Sequence, residues 1–324
     1  MFRYFFIAAF IFLGIGAYGQ KEGSRPANGK QAKKIKVVAT TTMVGDMVFS
    51  IAGHSVDLQT LMGPGVDPHL YKASADDIRK LKEADVVFYS GLMLEGKMQA
   101  DLESLKKETG KVYAVTQNIP QDKLIFPDSA GHHPDPHVWF DPTLWVTGVP
   151  IVAEKLSALQ PEYAIRYSNN AKALETEMMA THQWAKDQVA LLEPSERILI
   201  TSHDAFNYFG RAYGFQVVGV QGISTATEAG LSDINRTVDF IKKNHVPVIF
   251  VESSVSPVVI ESISQSSGAE VGPELFSDAC GVQGHIERGP DGKGYDVGTW
   301  DGMMRHNVNT VVHNLAIGYA REHA

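Results

Sequence analysis

Residues 132–142 read HHPDPHVWFDP, placing three histidines, three prolines and two aspartates within eleven positions. Imidazoles beside carboxylates are metal-binding chemistry, and proline on either side fixes the backbone that presents them. A second stretch, Asp67-Pro68-His69-Leu70-Tyr71, repeats the order of Asp135-Pro136-His137-Val138-Trp139. The repetition singles out His69 and His137 from other histidines, which more often serve only as hydrogen-bonding partners in a loop.

His203 lies in RILITSHDAFNYFG, at the end of an apolar run and before a helical pattern. In open parallel sheets ligands bind beyond the carboxyl ends of the strands, so the position suits a ligand; a bystander beside the capping residues Ser202 or Asp204 is the plainer alternative. Asp278, in Leu275-Phe276-Ser277-Asp278-Ala279, could complete three histidines with an oxygen donor, although taken alone it reads as a surface turn residue. Three imidazoles and one carboxylate suit Zn²⁺, and Mn²⁺ also accepts the hard oxygen. His132 and His133 read as solvent-facing, and His306 and His313, seven apart, as one face of a C-terminal helix. HExxH, GxSxG, the Walker GxxxxGK[ST] and GxGxxG are all absent. Cys280 has no evident base beside it and reads as a small buried or half-buried residue.

These residues need a scaffold. IKVVATTT, SVDLQTLM, ADVVFYSG, KVYAV, RILITSH, FQVVGV and VPVIFVESS are compact apolar runs with helical spacing between them. Met43, Met47, Val48 and Ile51 share one helix face, and Ser74 with Asp77 is a capping pattern for a helix to Glu83. Strands alternating with helices predict an α/β fold with parallel sheets. From Pro161 to Leu192 no glycine occurs, and Ala171, Leu174, Met178, Thr181, Ala185, Gln188 and Leu192 form a stripe. This is one long helix of about 45 Å; the pattern fits either a strut between two α/β units or a helix packed on one sheet.

The chain has 324 residues, enough for two domains, with ordinary hydrophobic and charged content. Residues 1–19 have a positive start, an apolar run and Ala17-Tyr18-Gly19, which predicts a cleaved secretory signal, the alternative being an uncleaved N-terminal anchor, with a flexible polar leader over 20–34. Cys280 is the single cysteine, so the expectation is a soluble periplasmic protein with neither an internal disulfide nor a lipid anchor. Removing Arg3 with the signal leaves 28 basic against 37 acidic residues, −9, a poor balance for binding nucleic acid.

From Ile35 to the C-terminus the chain resembles the zinc and manganese solute-binding proteins of bacterial ABC transporters, cluster A-I. The likeness is carried by GVDPHLYKASADDIRKL, ADVVFYSGLMLE, DPHVWFDP, YAIRYSNNAKALE, ITSHDAFNYFGRAYG, ELFSDACG and WDGMMRHNV. The resemblance implies two parallel-sheet domains, 35–160 and 193–324, joined by a rigid helix over 161–192, with metal held in the cleft by His69, His137, His203 and Asp278. It further implies delivery to an inner-membrane permease by a monomer that catalyses no reaction. Manganese-specific relatives usually carry Glu where this chain has His203, which puts zinc first and manganese second. Many zinc members have a long His-rich loop before DPHVW; here Gly131-His132-His133-Pro134 occupies that place. The reading from another class is a secreted zinc hydrolase, with Glu252 as base and water as fourth ligand.

Overall fold

The computed structural model describes residues 34–127 and 133–322. The signal, nearly all of the leader, and His132 lie outside the described residues. Four strands open the chain: β1 (Lys36–Ala39), β2 (Asp57–Thr60), β3 (Val86–Tyr89) and β4 (Val112–Ala114). They form one parallel sheet in the order β2-β1-β3-β4, with Val38 opposite both Gln59 and Val87. Every residue of β3 is buried, as expected when helices cover both faces of a parallel sheet. Helix α1 (Thr42–Ala52) follows β1, capped by the Thr41 hydroxyl, and buries Met43, Met47, Val48 and Ile51 on the face their spacing predicts. Helix α2 (Ala75–Glu83) starts at a complete Ser74/Asp77 capping box. Helix α3 (Gln99–Thr109) leads into β4.

The second half repeats the alternation. β5 (Ile198–Thr201) pairs in parallel with β6 (Gln216–Gly219), and β7 (Val248–Glu252) with β8 (Glu270–Leu275), β5 lying beside β7. Between the halves come α4 (Pro142–Trp145), α5 (Val149–Leu159) and then α6 (Ala164–Val189). At 26 residues α6 is about 39 Å long. It packs on α1 and α5 in the first half and on α10 (Trp300–Glu322) in the second. The molecule is thus an α/β fold of two parallel-sheet halves joined by one long helix. Helices α7 (Asn207–Tyr213), α8 (Leu231–Asn244) and α9 (Val258–Ser267) complete the second half.

One apolar core runs through both halves, and residues from Lys34 onward form one compact unit. Trp139, Trp145 and Trp300 are each almost wholly buried within it. A buried tryptophan removes on the order of 200 Å² from water, roughly 5 kcal/mol by area, so wide separation of the halves is costly.

Two features differ from the sequence expectation. The long helix begins at Ala164, because Pro161–Tyr163 forms a separate 3₁₀ turn. Its stripe ends on buried Val189, whereas Gln188 is only half-buried. An antiparallel hairpin, β9 (Ile286–Arg288) and β10 (Gly294–Asp296), also interrupts the pattern before α10.

Candidate metal centre

His69, His137, His203 and Asp278 come together with all four donor atoms within 4.8 Å of one another. His203 and Asp278 follow directly on the carboxyl ends of β5 and β8, whereas His69 and His137 stand in longer loops after β2 and β4. Two come from each half.

Local backbone chemistry builds each position. Asp67 Oδ1 accepts the His69 N–H at 2.8 Å and Asp135 Oδ1 accepts the His137 N–H at 2.9 Å, so both Asp-Pro-His runs close the same tight turn. The His203 loop crosses β6 so closely that a Cβ on Gly219 would lie 2.5 Å from Asp204 Cα; glycine is needed there because backbone occupies the space. Asp278 follows Ser277, whose carbonyl accepts the Trp139 indole N–H at 3.0 Å. That bond ties the His137 loop to the Asp278 loop across the two halves.

The donors are spaced for a single ion. His137 Nε2 lies 3.3 Å from His69 Nε2 and 3.4 Å from His203 Nε2. Asp278 Oδ1 is 3.3 Å from His137 Nε2 and 3.9 Å from His69 Nε2, while Oδ2 is 3.4 Å from His203 Nε2. A tetrahedron with bonds of about 2.1 Å has edges of about 3.4 Å. Asp278 Oδ1 is buried without a hydrogen-bond donor, whereas Oδ2 accepts from Ser254 Oγ at 2.9 Å. An orphaned carboxylate oxygen facing three imidazole nitrogens suits a cation.

Second partners aim the imidazoles. His137 Nδ1 is held by Asp135 Oδ1 at 2.7 Å, and His203 Nδ1 by Glu252 Oε2 at 2.5 Å, which turns both Nε2 atoms inward. Asp135 is itself fixed by Asn207 Nδ2 at 3.1 Å. Burial pushes His69 down to about 3. Burial also disfavours charge on His137, but the attraction of Asp135 and its hydrogen bond, with Asp278 behind them, outweighs it and raises the imidazole to about 9. Burial opposes charge on His203 too, and Glu252 and Asp278 overcome it, holding that imidazole well above its usual range. Burial resists charge on Asp278, yet its carboxyl lies well below the usual range, because the attraction of His203, with His137 and His69 beside it, favours the ionised form. The same surroundings that favour the ionised carboxylate also favour protons on His137 and His203, and those protons compete with a metal ion.

The remaining histidines stand elsewhere. His133 and His313 are exposed, and His306 is taken by Glu287 Oε2 at 2.7 Å and the Glu274 carbonyl at 2.8 Å. Cys280 is buried, which pushes its thiol well above the usual range and makes it a poor nucleophile. Glu252 is no hydrolytic base: its two oxygens accept the backbone N–H and engage Nδ1 of His203, and it is 2% exposed. The sequence offers Glu252 only as the base of the hydrolase alternative, whereas it holds His203, and it assigns Asp135 no role beyond the loop. The Asp-Pro-His repeat was the available signal for Asp135; nothing local marks Glu252, which reaches His203 from 49 residues away.

Several known proteins are similar to this chain. Residues 37–314 match the family model described as zinc-uptake complex component A, periplasmic. The chain is 40% identical over 293 residues to the manganese-binding lipoprotein MntA of Bacillus subtilis, covering 89% of this chain and 92% of that protein. It is 39% identical over 305 residues to the zinc-binding protein TroA of Treponema pallidum, covering 93% of each. It is 30% identical over 299 residues to the manganese ABC transporter substrate-binding lipoprotein PsaA of Streptococcus mitis, covering 90% of this chain and 93% of that protein. The solved structure of the periplasmic zinc-binding protein TroA superposes with a TM-score of 0.80, over 87% of this chain and 99% of that one.

Proposed function

Because the chain belongs to the family of zinc-uptake complex component A proteins, we propose that His69, His137, His203 and Asp278 capture zinc, and manganese second, for delivery to an inner-membrane ABC permease. The protein is an extracytoplasmic, metal-binding substrate-binding component of an ABC transporter, and not an enzyme. The hydrolase reading has no support among the relatives or in the position of Glu252.

The observation that supports the ligand assignment is the spacing of the donors: His137 Nε2 lies 3.3 to 3.4 Å from His69 Nε2, His203 Nε2 and Asp278 Oδ1, close to the edge of a tetrahedral site, and Oδ1 lies 3.9 Å from His69 Nε2. Zinc comes first for three reasons. Imidazole nitrogen is a good zinc donor, the Irving–Williams order places zinc above manganese at a nitrogen-rich site, and Ser254 already engages one oxygen of Asp278. Four protein donors leave the ion no open position for a reacting water. We take 35–160, 161–192 and 193–324 as the working domains, and the mature protein as a monomer.

The names of MntA and PsaA include "lipoprotein", but the single cysteine here is buried Cys280, so we propose a mature form without a lipid thioether, free in the periplasm. Among the described residues no helix is long and apolar enough to cross a membrane. The mass of the mature protein and its partition between detergent and aqueous phases check this.

The assignment is tested by elemental analysis of protein purified without chelators or a histidine tag, beside His137→Ala. One equivalent of zinc or manganese, largely lost in the variant, is the expected result. Full metal content in the variant would move the site elsewhere.

A further inference from the structure

The four donors are between 0 and 4% exposed, so no ion can enter or leave without movement. His69 is the most accessible of them, and Leu70 after it is 43% exposed, which locates the mouth of the site on the Asp67–His69 side. Away from the mouth the two halves are stitched by buried bonds: Trp139 Nε1 to the Ser277 carbonyl, Trp300 Nε1 to the Trp139 carbonyl at 3.1 Å, and Tyr208 Oη to the Asp135 carbonyl at 3.0 Å.

At the mouth the connection is of another kind. The loop between β6 and α8 (residues 220–230) is pinned at its start, Gln221 N–H to the Ser202 carbonyl and Asp204 N–H to the Gly222 carbonyl, at 2.9 and 3.3 Å. Ser224 and residues 226–228 are then exposed. Between them the half-buried Thr225 donates its hydroxyl to Asp67 Oδ2, at 2.5 Å, while the other oxygen of Asp67 holds the His69 N–H. One carboxylate therefore fixes both the backbone of a metal ligand and a loop of the opposite half.

We propose that Thr225 is a gating residue for metal exchange: its hydroxyl latches the 220–230 loop onto Asp67 over the mouth, and breaking that bond opens a path to His69. This rests on the metal-capture reading. A hydroxyl–carboxylate bond at a half-exposed position costs less to open than the buried indole bonds behind the site, because both groups regain water when it breaks.

The test compares wild type, Thr225→Val and Thr225→Ser, each loaded with zinc, with metal loss followed by rapid mixing with a chromophoric chelator and metal uptake by the quenching of tryptophan fluorescence. Valine keeps the shape and removes the donor. Serine restores the donor. The expected result is that valine speeds release and uptake together, by about tenfold, with the dissociation constant moving less than about threefold and one zinc still bound, and that serine returns both rates toward wild type. Unchanged rates in the valine variant would overturn the latch, as would faster release with unchanged uptake, which is the mark of a supporting partner of His69 instead of a gate. A wild-type protein that binds no zinc would defeat the metal-capture reading itself, a different outcome from either.

Discussion

At residues 67–69 and 135–137 the same three side-chain types make the same turn, each aspartate accepting the N–H of its own histidine, and the two loops then diverge. Asp135 also grips the His137 ring at Nδ1, and Val138 and Trp139 are wholly buried. Asp67 gives its second oxygen to Thr225, and Leu70 faces water. The imidazoles follow their surroundings, His137 up at about 9 and His69 down at about 3. A motif thus sets the turn, while depth in the core and whether the aspartate also holds the imidazole ring separate the anchored His137 from the looser His69.

Removing each ring separates the two roles most strongly. In the metal-free protein His137→Ala leaves Asp135 and Asp278 without their shared cationic partner in the core, and a loss of about 3–5 kcal/mol in denaturant unfolding is expected. His69→Ala deletes a neutral ring at the rim, and about 1–2 kcal/mol is expected. Both variants lose tight zinc binding; equal loss of metal-free stability would erase the distinction between anchor and rim.

The supporting carboxylates come next in size. Asp135→Asn weakens the hold on Nδ1 of His137, and a loss of roughly 10–100-fold in zinc affinity is expected by chelator competition. Asp67→Asn leaves an amide oxygen able to accept the His69 N–H, and affinity falls less than about tenfold. The reverse order would mean that the outer loop controls the site.

Protons sharpen the contrast further. His137 is raised above its ordinary value of 6.5 in the fold, so its contribution to the stability of the metal-free protein is complete below pH 6.5 and is lost as pH rises through about 9. Metal must displace that proton at neutral pH, so affinity falls on acidification. His69, at about 3, has no proton to give. Titration calorimetry in buffers of different ionisation enthalpy therefore gives His137→Ala about one proton fewer released per zinc than wild type, and His69→Ala no change. Trp139→Phe keeps a six-membered ring in the core but loses the pyrrole ring and its bond to the Ser277 carbonyl; about 1–2 kcal/mol of stability is expected to be lost.

Much of this was legible in the sequence for identifiable reasons. Val86–Tyr89 announces itself because a strand covered on both faces must be apolar throughout, and Ser74 with Asp77 announces a helix start because the two side chains satisfy N–H groups nothing else reaches. His69 and His137 stood out because each follows proline in a repeated Asp-Pro-His run, and His203 because it ends an apolar strand, whereas Asp278 taken alone reads as a surface turn residue. The 286–296 hairpin stayed hidden because Ile286 is exposed and its strands lack a buried alternating face. Trp139 and Ser277 are 138 residues apart and Thr225 and Asp67 158 apart, so no local pattern announces either bond. Glu252 lay in plain view, but its role depends on β5 and β7 being neighbours, a fact of tertiary packing.

The most direct test of the central claim is the zinc K-edge X-ray absorption spectrum of the loaded protein. A first shell of four nitrogen and oxygen atoms at about 2.0–2.1 Å, with outer-shell scattering from three imidazoles, is the expected result. A five- or six-coordinate shell, a sulfur ligand, or scattering from fewer than three imidazoles would contradict a closed site built from His69, His137, His203 and Asp278.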